Sequence, residues 1–293
     1  MGWVGIVGAL AGVIAVWFAW RQGAQQQAQM AMIVPRAVEV ITRGMPTLAQ
    51  TGWLPTGEEL GAINRAIADL DGIIAAAPNE LSAHNARGIC LARLGNYDAA
   101  LAAYGRAKEL CGGRPACRGM VLNNIGDVYE EQCRLKEAEE QYRRSLATWR
   151  SVVARANLAE CLFQQNRVGE ALHEIIDVVD ADPNFVGTHL VYGKILWRRN
   201  ERQQALEQFR RAVQIDPKYQ PETHLELSKA LMVLDSPQAA LDEAAEAVNV
   251  APNFAEAHAW YAEVLEKNGA VSDADAEHRK AKALMTARKS KAC

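Results

Sequence analysis

Two columns of small residues, twelve positions apart, run through most of this chain in step. The first reads Gly88, Gly126, Ala159, Gly193, Ser228 and Ala262; the second reads Ala100, Ala138, Ala171, Ala205, Ala240 and Ala274. Both advance by 38, 33, 34, 35 and 34 residues, so they keep register through one lengthened and one shortened unit. A period near 34 with two points of close approach per unit predicts stacked pairs of helices over residues 81 to 284, six units in all.

Apolar residues within each unit follow helical spacing. In the first, Leu91 and Leu94 precede a break at Gly95-Asn96, and Tyr97, Leu101, Tyr104 and Leu110 follow it, which reads as helix, turn, helix. Two short helices cannot cover their own apolar faces, so each pair must stack on the next. The column Tyr104, Tyr142, Ile175 and Phe209 and the column Leu91, Tyr129, Leu162, Leu196, Leu231 and Leu265 are assigned to the core. Pro183, Pro217 and Pro252 fall between units, where they end one helix and space the next. Ser236-Pro237 reads as a cap followed by proline in the first helical position.

The stretches "GKILWRRNERQQALEQFRRAVQIDP" and "GICLARLGNYDAALAAYGRAKEL" resemble the tetratricopeptide repeat family. The resemblance implies an all-α, right-handed α-solenoid whose first helices line a groove for segments of other proteins. Matching positions are Asn123, Asp127, Glu130, Glu131 and Glu160, an acidic stretch, and Lys194, Trp197, Arg198, Lys229, Met232 and Trp260, a basic and aromatic one. Trp and Met beside Arg are residue types that dominate binding energies. Near the positions of the basic clamp that captures chaperone tails, the first two units offer Asn85, Ile89, Asn123 and Asp127, so that partner is not expected. Arg87, Ala244 and His278 depart from the family pattern in the terminal units, as capping repeats do.

Residues 2 to 20 hold no charge and are long enough to cross a bilayer as a helix, with Trp3, Trp17 and Trp20 near the ends. No basic residue precedes them and no small-x-small cleavage site follows, so an uncleaved transmembrane anchor over residues 1–21 is expected rather than a signal peptide. Gly5, Gly8, Gly12, Ala15 and Ala19 form one small stripe along it, suited to packing against a membrane helix of a partner or of a second copy. Arg21, Arg36 and Arg43 place the repeats in the cytoplasm by the positive-inside rule, with the periplasm as the alternative. The architecture resembles anchored repeat adaptors of bacterial inner membranes and, less closely, mitochondrial import receptors. Residues 22–57 then read as an amphipathic segment, Met30 to Ile41 with Pro35 inside it, and a linker. Residues 58–80 read as a capping helix, and 285–293 as a basic tail.

Six cysteines bear on the compartment. Cys111 and Cys117 bracket "GGRPA" in the lengthened connector, either as two free thiols or as a disulfide closing that loop, the latter being a mark of an oxidising compartment. No histidine stands at ligand spacing from them, so no zinc site is expected. His84, His189, His224 and His258 share one place in their first helices, one repeat apart, and are assigned to packing between helices rather than to metal. Phosphate loops, zinc-protease motifs and nucleophile elbows are missing and the repeats leave no room for a catalytic domain, so no cofactor and no enzymatic activity is expected. A net charge of -3 argues against nucleic acid. The expected role is a membrane-anchored scaffold or adaptor that binds a protein partner in its groove. The other reading is an accessory subunit or assembly factor contacted through the transmembrane and linker helices.

Overall fold

The computed structural model describes residues 57–217, 221–234 and 236–288. Among the described residues the chain forms thirteen helices and no strand: α1 (Gly57–Ala76), α2 (Leu81–Arg93), α3 (Tyr97–Leu110), α4 (Pro115–Glu131), α5 (Leu135–Thr148), α6 (Val152–Gln164), α7 (Val168–Ala181), α8 (Val186–Arg198), α9 (Arg202–Ile215), α10 (Pro221–Val233), α11 (Pro237–Val250), α12 (Ala255–Lys267) and α13 (Val271–Arg288). Helices α2 and α3 make the first unit and α12 and α13 the sixth. Each first helix packs on its own second helix, and each second helix on the next first one. First helices also meet directly, α2 with α4, α4 with α6, α6 with α8 and α10 with α12, so they line the inner side of the array.

The columns explain this stacking. All six alanines of the second column are fully buried. In the first column, a Cβ on Gly88, Gly126 or Gly193 would lie 2.5 Å from the ring of Tyr104, Tyr142 or Phe209 respectively. Those rings stand sixteen residues later, on the second helix of the same unit. Where the column holds Ala159, Ser228 or Ala262, the facing position holds Ile175, Ala244 or His278. Backbone bulk on one helix is therefore matched to ring bulk on the other. The apolar core is not one body but a string of clusters along the array, as expected when each unit touches only its neighbours.

A third column was not read from the sequence. Seven residues after the first small column, Gly95, Cys133, Asn166, Asn200 and Gly269 have φ of 73°, 59°, 62°, 65° and 80°. This left-handed residue turns the chain from first helix to second. Gly and Asn take that conformation readily, whereas Cys133 does so against its Cβ.

The lengthened connector is also not the loop it suggested. Helix α4 has 17 residues where α2, α6, α8, α10 and α12 have 13, so the four additional residues form one more turn at its start. Cys111 ends α3, Cys117 lies in the added turn, and the two are joined by a disulfide across a Cα separation of 5.6 Å. Arg114 donates from Nε to the Cys111 carbonyl at 3.0 Å and from Nη2 to that of Leu110 at 2.9 Å, capping α3. The bridge thus fastens unit one to unit two. Reduction of so short a loop is expected to cost about 2 kcal/mol, read as a melting temperature that reductant lowers less in Cys111→Ala with Cys117→Ala than in the parent, with the disulfide-bonded Cys133 reduced in both.

Helix α1 packs on the first unit, with Ile63, Ala66, Leu70 and Ile73 on Ala83, Ala86 and Cys90. Arg87 departs from the repeat pattern because it meets this cap: its Nε donates to Asp71 Oδ1 at 2.5 Å. At the other end α13 continues to Arg288, past the expected start of the tail at residue 285. Helix α11 begins at Pro237 as expected, but the Ser236 side chain makes no capping hydrogen bond. Among the described residues no helix is long and apolar enough to cross a membrane. The expected anchor over residues 1–21, its stripe from Gly5 to Ala19 and the amphipathic segment from Met30 to Ile41 lie outside the described residues.

Candidate protein-binding face

The eleven groove residues expected from the sequence all sit on first helices, but most of them hold neighbouring units together. In the acidic half, Asn157 on α6 donates from Nδ2 to Asp127 Oδ1 at 2.9 Å and to Asn123 Oδ1 at 3.2 Å on α4. Gln164 on α6 donates to Glu130 Oε1 at 2.6 Å. The Tyr142 hydroxyl reaches both Glu130 Oε2 at 2.6 Å and Asp127 Oδ1 at 2.9 Å. Burial drives the Asp127 carboxyl up to about 6, against the bond from Tyr142, the charge of Arg93 and the bond from Asn157. Burial also drives Glu131 up to about 8, with Arg93 opposing it. These carboxylates are buried struts that share a guanidinium, not a free acidic surface.

The basic half is neutralised from within. Lys194 Nζ lies 3.4 Å from Glu160 Oε1 and 2.6 Å from Glu222 Oε1, joining α6, α8 and α10. Burial opposes its charge, but Glu160 and Glu222 more than offset that and hold the ammonium above its usual range. Lys229 repeats the device one unit on, 2.8 Å from Glu226 and 2.9 Å from Glu256 on α12. The Trp260 indole donates to Ser228 Oγ at 2.7 Å, and that hydroxyl donates to the Ala240 carbonyl at 2.6 Å.

The four histidines do more than pack. His189, His224 and His258 each set Nε2 against the carbonyl of Pro183, Pro217 or Pro252 in the connector before their helix, at 2.8, 2.7 and 2.8 Å. Nδ1 faces the second helix of the same unit: Gln208 at 2.8 Å, Glu243 at 2.6 Å, and Glu277. His84 makes the same bond to the Pro78 carbonyl at 2.9 Å. A ring that donates from Nε2 and meets a carboxylate at Nδ1 is satisfied only when both nitrogens carry hydrogen. Burial works against the charge of His224, but Glu243 and the Pro217 carbonyl hold its pKa above the ordinary value. Among the described residues no group of side chains is arranged to hold a metal ion.

What stays open is narrower. Arg198 is exposed, with its guanidinium 5.2 Å from the Phe163 ring centre and Nη1 donating to Asn166 Oδ1 at 3.2 Å. Arg202, exposed at the start of α9, lies 5.8 Å over Trp197, and Lys267, exposed at the end of α12, lies 5.8 Å over Trp260. Trp197 and Met232 are half-buried on the unit four and five core, and Val233 beside Met232 is 50% exposed. Sequence reasoning missed Arg202, Val233 and Lys267. The repeat register could have found the last two, since Arg198, Val233 and Lys267 occupy one column, at steps of 35 and 34.

Residues 79–151, 123–185 and 186–219 each match a tetratricopeptide repeat family model. Residues 79–219 carry tetratricopeptide repeats. The turn column, the matched Gly and ring positions and the carboxylate struts described above are therefore features of a tetratricopeptide array, a fold typical of protein–protein interaction. No curated protein matches the chain. Solved structures share the fold at low identity. The Cut9–Hcn1 hetero-tetramer of the APC/C is similar with TM-score 0.65 and 14% identity over 86% of this chain and 50% of that one. The human IFIT1 dimer with m7Gppp-AAAA is similar with TM-score 0.63 and 16% identity over 78% and 58%. A thermophilic tetratricopeptide protein of Thermus thermophilus, TTC0263, is similar with TM-score 0.54 and 22% identity over 63% and 98%. The chain thus spans 50% and 58% of the length of the first two.

Proposed function

We propose that this chain is a membrane-anchored tetratricopeptide adaptor that captures a protein partner on the first-helix face of units four to six. One observation carries the reading: on an inner face that otherwise neutralises its own charges, Trp197, Met232, Val233 and Trp260 with Arg198 and Lys267 are left at the surface. Half-buried aromatic residues beside cations are what binding hot spots are made of. The apolar stretch at residues 2–20 supplies the anchor. The Cys111–Cys117 bridge favours an oxidising compartment for the repeats, which is the periplasmic orientation rather than the cytoplasmic one that the arginine bias suggests. Blocking free thiols in acid-quenched membranes before mass spectrometry checks this: an oxidised pair supports the periplasmic orientation, and a reduced pair restores the cytoplasmic one.

Affinity capture from solubilised membranes tests the function. The intact chain should retain a partner that Trp197→Ala with Trp260→Ala loses, while circular dichroism shows both folded. Loss on deletion of residues 1–44, with the double variant still binding, would move the contact to the anchor and linker and make the chain an accessory subunit.

A further inference from the structure

Three exposed cations in the second half of the array lie on aromatic rings, and among the described residues none of them has a carboxylate partner. Arg198 rests on Phe163, Arg202 on Trp197 and Lys267 on Trp260. Glu201 is engaged with Arg199 at 2.6 Å and Glu266 with His278 at 3.2 Å. A ring beneath a cation fixes its position without consuming its outward N–H donors. Arg198 spends one donor on Asn166, which leaves most of its fork for an incoming acceptor.

Arg198 and Lys267 hold the same position in units four and six, and the half-exposed Val233 holds it in unit five between them. The surface therefore reads cation, apolar, cation, at one residue per unit. Lys194 on α8 reaches Glu222 on α10 and Lys229 on α10 reaches Glu256 on α12, so these first helices are neighbours, and at about 8–10 Å per step the two cations stand roughly 16–20 Å from each other. A polyproline II segment repeats every three residues with a rise of about 3.1 Å per residue, or roughly 9 Å per turn. Its residues i, i+3 and i+6 lie on one side at the spacing of the row. A β-strand puts i and i+3 on opposite sides and does not fit.

Building on the groove reading above, the geometry points to an extended, polyproline-like protein segment of the form acidic-x-x-apolar-x-x-acidic as the occupant of the Arg198–Val233–Lys267 row. Its two carboxylates meet Arg198 and Lys267, and its central apolar side chain sits on Val233 and Met232.

The test is fluorescence anisotropy of the full chain in detergent with a labelled peptide, Gly-Glu-Pro-Pro-Leu-Pro-Pro-Glu-Gly. Saturable binding is expected, weakened at least tenfold when both peptide glutamates become glutamine, when one proline is removed from each side of the leucine, or when the chain carries Arg198→Gln with Lys267→Gln. These are exposed positions, and an unchanged melting temperature shows that the variant is folded. Equal binding of the glutamine or shortened peptide, retention by the double variant, tighter binding of an oligouridylate, or no saturation up to about 1 mM peptide would each overturn the assignment. If the peptide fails while capture of the membrane partner still needs Trp197 and Trp260, the row is wrong and the groove reading stands.

Discussion

Replacing Lys194 with methionine is expected to destabilise the protein by about 3–5 kcal/mol, the cost of stranding buried carboxylates without their counter-charge. Lys194 sits between Glu160 and Glu222, and the second oxygen of Glu160, Oε2, is buried with no hydrogen-bond partner. Burial already pushes the Glu222 carboxyl above its ordinary range against the pull of Lys194. Without the lysine the Glu222 carboxyl is driven further up. A carboxyl whose folded pKa lies above its unfolded value binds more protons in the folded state, so stability falls as pH rises from about the unfolded value of 4.3. The variant should therefore lose far more melting temperature at pH 8 than at pH 5, measured against the parent at each pH. Adding Glu160→Gln and Glu222→Gln should recover most of the loss at pH 8. A loss that is small and independent of pH would show that Lys194 points to solvent and is available to a partner after all.

Gly193→Ala should cost about 1–3 kcal/mol, the range for an added methyl in a filled core. Its new Cβ would lie 2.5 Å from Cε1 of Phe209, a ring that is 1% exposed and so has nowhere to retreat. Unit three has already met this demand, with Ala159 facing Ile175. The prediction is sharp in the double variant: Gly193→Ala with Phe209→Ile should be more stable than the sum of the two single changes by about 1–2 kcal/mol, a coupling of the size seen for residues in contact. Additive losses in chemical denaturation would mean that the helices part to admit the methyl and that the Gly column does not set their approach.

The repeat register was legible because it is a property of spacing. Small residues recur where backbones meet, and the two columns from Gly88 and Ala100 located all twelve helices of the six units. The turn column at Gly95, Asn166, Asn200 and Gly269 could have been read in the same way, but Cys133 hides it, since cysteine carries no left-handed signal. The four added residues before Gly126 looked like a loop because "GGRP" is loop-like in composition; continuation into helix happens because Pro115 is accepted in a first turn and the Cys111–Cys117 bridge holds that turn in place.

The candidate site was legible only as a set of positions. Asn123, Asp127, Glu130, Glu160, Lys194 and Lys229 do lie on first helices, yet whether a charge there meets a partner or a neighbouring unit depends on which residue stands one repeat away in space. That is why the histidines, read as packing, turned out to bind connector carbonyls and second-helix carboxylates as well. The sequence by itself determined the period, the helix pairs and the small-residue contacts, because each follows from spacing within about one unit. Only the tertiary structure decided which charges cancel across units and which, Arg198 and Lys267 among them, stay on the surface, because electrostatic pairing depends on distances of a few ångströms that the stacking of units creates.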